Sequence, residues 1–273
     1  MKMTRSCLLL VALTLYPFCI HAYYPLSPYS YCAGNPTNCI DPTGCVIEGT
    51  KKKDAKMAVE DFRAMFHGEV FANFRNLIVQ AGEKQNGKRL APISSEALTD
   101  AFKGINLNED QQALVEMVVN TINSNDVHKV EYLTPGKEMS SSSLEIISPK
   151  LNSLGITPEM ANNIPGGYSK YLIALSGEAF TTPTNSGSLT LILNAPDASF
   201  ITNRPATLGH EVIGHGRSLV LGLTSAESQH VIPIQVENLI LRVMGIPSIY
   251  RDGTRHSPVK KYIPNHMSLP DFR

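Results

Sequence analysis

From Lys51 onward the apolar positions fall into steps of three and four: Phe62, Met65, Phe66, Val70, Phe74, Leu77, Ile78 and Ala81. That spacing places them on one stripe over about 25 residues and predicts a core helix. A shorter helix is expected over Ser95 to Phe102. Asn108 is the expected N-cap of another, which runs through Leu114, Val115, Val118, Val119 and Ile122. The pattern then shortens. Lys129–Leu133, Tyr171–Leu175 and Leu189–Leu193 are brief apolar, β-rich runs bounded by Gly, Pro, Asn and Ser, and they predict a small sheet. Ser140–Ser143 and Ile164–Gly167 read as loops. Helical spacing returns over Arg204 to Val220 through Leu208, Val212, Leu219 and Val220, with Pro205 suited to the first turn. It returns again over Val231 to Met244, with Pro233 expected in the first turn and Gly245 as the C′ residue. The sum is an α+β fold, mainly helical, with a small β-sheet in a single domain.

Composition narrows the function. Of 273 residues 42% are hydrophobic and 18% charged, and 24 Lys and Arg balance 24 Asp and Glu. Such a chain has the apolar content to fold, and a neutral one lacks the basic field that favours phosphate backbones, so nucleic acid is not the expected partner. At the N-terminus Lys2 and Arg5 precede the run Cys7–Ile20, with Ala22 as the cleavage residue, the layout of a secretory signal over residues 1–22. The run is too short for stable membrane insertion. Cleavage would leave 22 basic against 24 acidic residues, a formal charge of −2, in a protein secreted or held in the cell envelope. The remaining cysteines, Cys32, Cys39 and Cys45, are odd in number and have no His among them. They fit neither a paired disulfide framework nor a zinc knuckle, though one disulfide and a free thiol suit an exported chain.

Residues 23–50 are rich in turn signals: Tyr29-Ser30-Tyr31, Asn35-Pro36 and Asp41-Pro42-Thr43-Gly44. In this order they resemble the closing segment of the Rhs/YD-repeat core, whose long repeat shell is not in this sequence. The resemblance implies a junction followed by a variable domain that is often a toxin or effector. The expected organisation is a signal peptide at 1–22, the junction at 23–50 and the effector domain at 51–273. Chemistry enters with His210-Glu211-Val212-Ile213-Gly214-His215. Zinc peptidase helices place two His four residues apart, on one side, with a Glu beside the first. Here the His are five apart, which on an ideal helix turns them roughly 140° from each other. A π-type bulge would absorb the extra residue and restore the facing, and Gly214 is where the distortion costs least.

The stretch His210–Gly216 is similar to the His-Glu-x-x-Gly-His-Gly element of dipeptidyl peptidase III type zinc metallopeptidases, which implies zinc-dependent hydrolysis. A catalytic zinc needs a third protein ligand. Glu237 lies on the downstream helix, 22 positions after His215, and Glu227 competes with it. The run Val236-Glu237-Asn238-Leu239-Ile240 followed by Gly245-Ile246-Pro247 resembles a helix in metallopeptidase-like domains that end Rhs proteins, and this implies Glu237 as the ligand. His210, His215 and Glu237 are thus expected to hold Zn²⁺ beside the sheet, with Glu211 as general base. Tyr250, Arg251 and His256 are candidate oxyanion donors by position alone. His67, His128, His230 and His266 lack ligand spacing and are expected on the surface or satisfied in the core. The expected partners are a protein or peptide substrate and an immunity protein. Two other classes stay open. One is an Rhs-type toxin of another chemistry, although a deaminase would need cysteine ligands that do not occur after Cys45. The other is a secreted, non-catalytic binding or immunity-like protein.

Overall fold

The computed structural model describes residues 46–82, 87–134, 137–157, 160, 179–194 and 203–246, and for residues 226–228 and 230 the backbone alone. All of them belong to one compact unit, Asp41–Arg273. The signal segment, nearly all of the junction, the strand expected over Tyr171–Leu175, and Tyr250, Arg251 and His256 lie outside the described residues.

Four strands form one sheet: β1 (Val46–Gly49), β2 (Val127–Leu133), β3 (Ala179–Thr184) and β4 (Gly187–Leu193), in the order β1-β2-β4-β3. The first three of that order run parallel and β3 returns antiparallel to β4. Val46–Gly49 falls within the segment read as junction, yet it is buried and hydrogen-bonded along β2, so the folded body already includes Val46. The four-residue strand is too short to announce itself by alternation.

Helices α1 (Lys52–Ala64), α2 (Ala72–Leu77), α3 (Ser95–Ala101) and α4 (Glu109–Ile122) precede or follow the first strands, and α5 (Ser141–Ser153) follows β2. The single helix expected through Ala81 is broken. Its chain leaves α1 after Ala64, turns at Gly68 with φ 88°, makes a short 3₁₀ turn over Glu69–Phe71 and re-enters α2. A positive φ of that size is open to glycine without a Cβ penalty. Arg75 donates to the carbonyls of Phe66 and Gly68 at 2.8 Å each, and Arg63 to those of Arg75 and Ile78, so the break leaves these groups paired. The turn leaves Val70 of the expected stripe exposed and buries Phe71 in its place, where it converges with Phe66 and Phe74. Phe66 meets Phe71 at 5.1 Å and Phe74 at 4.8 Å, edge to face. Such pairs add about 0.5–1.5 kcal/mol each beyond burial. The expected cap of α4 is present: Asn108 accepts from the Gln111 backbone while the Gln111 side chain accepts from the Asn108 backbone.

Both faces of the sheet are covered. Leu133, Leu189 and Leu191 pack with Met139, Ile147 and Leu151 around α5. The other face belongs to the main core with α1, α4 and the C-terminal helices. Those helices are α6 (Arg204–Gly209), a π-helical segment (His210–Arg217), α7 (Ser218–Val220) and α8 (Ala226–Val243). Pro205 occupies the first turn of α6, as the sequence implies, and Asn203 caps it. Pro233, by contrast, is not in a first turn. The helix α8 begins at Ala226, because its polar opening, Ala226–His230, can wind helically without showing an apolar period. Gly245 takes φ 70° just past the end. Among the described residues no helix is long and apolar enough to cross a membrane. The architecture is α+β, with helices predominating over a small sheet.

Candidate metal centre

The start of α6 is tied down before the site begins. Arg204 donates to both carboxylate oxygens of Asp61 at 2.8–3.0 Å, and the Tyr132 hydroxyl donates to Asp61 at 2.7 Å. Asp61 is buried, and burial pushes its carboxyl above the ordinary value against the pull of Arg204 and Tyr132.

The chain then winds as a π-helix from His210 to Arg217. Hydrogen bonding from i to i+5 brings residues five apart onto one side, which an α-helix does not. The sequence implied one local bulge near Gly214; the whole eight-residue stretch is π-helical instead. It is pressed from two sides. A Cβ on Gly214 would stand 2.5 Å from the Cα of Pro233 in α8, and one on Gly216 would stand 2.9 Å from Ser188 Oγ and 3.1 Å from His128 Nδ1 on the sheet. Gly214 therefore serves close helix approach as well as backbone freedom.

The consequence is the facing that the motif needs. The His210 and His215 rings lie 5.1 Å apart, and ligand atoms of His210, Glu211 and His215 all fall within 4.8 Å of one another. These three side chains make a set that can hold a metal ion. His210 and Glu211 are buried and His215 is partly exposed. Glu237, buried on α8, joins through His210, its Oε2 standing 2.9 Å from Nδ1. Donor atoms about 2.1 Å from a tetrahedral zinc stand about 3.4 Å apart. The 2.9 Å Nδ1–Oε2 contact is shorter than that edge and is the length of an ion pair, so it ties Glu237 to His210, while the atoms that lie together as a possible metal set are those of His210, Glu211 and His215. The side chain of Glu227 lies outside the described residues.

α8 is held in position by its apolar face, Ile234, Val236, Leu239, Ile240 and Leu241, and by Arg242, which grips Asp110 of α4 through two bonds of 2.7 and 2.8 Å.

Sequence reasoning missed the polar row that the sheet lays beneath the π-helix. Thr181 of β3 donates to Glu211 Oε2 at 2.6 Å and lies 2.9 Å from its cross-strand partner Thr190. His128 of β2 lies 2.9 Å from Ser188 of β4, its register partner. His128 is not on the surface: it is fully buried, and among the described residues its Nε2 has no hydrogen-bond partner. Burial, with the Arg217 charge adding to it, pulls its pKa down to about 3. The signal for this row was Ser188 and Thr190 alternating with leucines in β4, which marks one face as different without saying what it meets.

Comparisons with protein-family models, curated proteins and solved structures give no match, and the functional reading rests on the site's own geometry.

Proposed function

We propose that this chain is a zinc-dependent hydrolase of peptide bonds, the working domain of an exported effector of the Rhs-associated kind. The observation that supports it is the π-helical segment, which turns two histidines five residues apart into neighbours with Glu211 beside them. His210 and His215 would hold zinc with Glu237 as third donor. Zinc there supplies Lewis acidity, polarising a carbonyl and bringing the pKa of water towards about 7. The chain's own part is proton handling. Glu211, buried and anchored by Thr181, takes a proton from the attacking water and passes it to the leaving amine. α8 closes one side of the site, and the sheet closes the other, limiting competing water.

A second reading has one observation in its favour. The His210–Glu237 contact of 2.9 Å also suits a metal-free buried pair in a non-catalytic binding or immunity-like protein. Zinc analysis of the purified protein separates the two. About one zinc per chain, lost in His215→Ala, supports the hydrolase; less than about 0.2 per chain refutes it.

A further inference from the structure

The geometry points to Thr181 as the positioning residue for Glu211, an inference that rests on the hydrolase reading. A carboxylate only accepts hydrogen bonds and a threonine hydroxyl has one proton to give. At 2.6 Å from Glu211 Oε2, Thr181 must donate that proton to the acid, and its oxygen then accepts from Thr190 at 2.9 Å. The chain Thr190 to Thr181 to Glu211 has one direction. Thr190 is fully buried on β4, and β3 and β4 pair these two residues in register, so the donor stands on a sheet and not on a loop. Thr181 lies on another element from the whole His-Glu-Gly-His segment, 30 positions upstream of Glu211. Its hydroxyl bonds one oxygen of Glu211 and so fixes how the carboxylate is turned. A base held this way has fewer orientations to lose when it acts, which is where a misplaced group forfeits rate. Thr181 touches neither metal nor substrate in this scheme; it acts through Glu211.

The test uses the full chain loaded with cobalt and the small probe acetohydroxamic acid. On binding through its two oxygens, the probe gives its hydroxyl proton to the nearby carboxylate, so affinity reports Glu211 without requiring the natural substrate. Binding is followed by the visible absorption of the cobalt centre. Thr181→Val keeps the shape and removes the hydroxyl. It is expected to take up about one cobalt per chain and to weaken the probe about tenfold, while Thr181→Ser stays within about threefold of the parent. In a Glu211→Gln background, Thr181→Val should change affinity less than about twofold. Equal weakening in both backgrounds, no weakening in either, or loss of cobalt uptake in Thr181→Val would each overturn the assignment to Thr181. A parent protein that takes up no cobalt, or whose cobalt spectrum ignores the probe, overturns the hydrolase reading and this inference with it.

Discussion

Gly214 and Pro233 meet so closely that no side chain fits between them: a Cβ on the glycine would come within 2.5 Å of the proline Cα and 2.9 Å of its Cβ. The obstacle is partly backbone, which cannot rotate away as a flexible side chain can. Gly214→Ala should therefore force α8 off the π-helix and cost about 1–3 kcal/mol in urea unfolding. Because α8 also carries Glu237, zinc content should fall in the same variant. An alanine variant with parental stability and zinc would show that the two helices can part without harm.

The proposed function gives the two acids beside His210 separable duties. Glu211→Gln should retain about one zinc per chain and lose hydrolysis by a factor of about 10²–10⁴, the usual worth of a general base. Glu237→Gln should lose the metal. Metal analysis of both variants decides it, and the opposite pattern would exchange the roles.

His128 predicts a pH dependence. Its folded pKa of about 3 lies below the ordinary 6.5, so between those values the unfolded chain binds a proton that the folded chain refuses. Stability is then fully present above pH 6.5 and falls as pH drops towards 3, by up to about 1.4 kcal/mol per pH unit. Asp54 and Asp61, both raised by burial, act in the opposite sense above 3.8. The difference between parent and His128→Asn isolates the histidine. Urea unfolding at pH 7 and pH 5 should show the parent losing more stability than the variant. Parallel curves would mean that His128 titrates normally.

Removing Arg204 leaves Asp61 buried with the Tyr132 hydroxyl still donating to it at 2.7 Å. Arg204→Gln should cost about 3 kcal/mol, as stranding a buried charge generally does. Part of that loss should return as pH falls, because a protonated Asp61 needs no cation. Asp61→Asn should cost less, since Arg204 is partly exposed and can be hydrated. Denaturant melts of the two single variants at pH 7 and pH 4 provide the check.

The elements legible from the chain alone were those whose cause is local. Asn108 and Gln111 are three residues apart and cap each other in any context. The spacing of His210 and His215 demands a non-α geometry if the rings are to face, and the π-helix supplies it. The apolar stripe named core residues such as Phe62, Phe66 and Phe74 but not the turn at Gly68, which leaves Val70 exposed and buries Phe71 instead. What no local reading could supply was the company of these residues. That Gly214 faces Pro233 and that Thr181 reaches Glu211 across 30 positions are outcomes of helix approach and strand register, whereas Glu237 near His210 is what the resemblance of its helix implies. Hydrogen bonds within a turn span a few residues and are written in them, whereas contacts between elements depend on how the whole core closes.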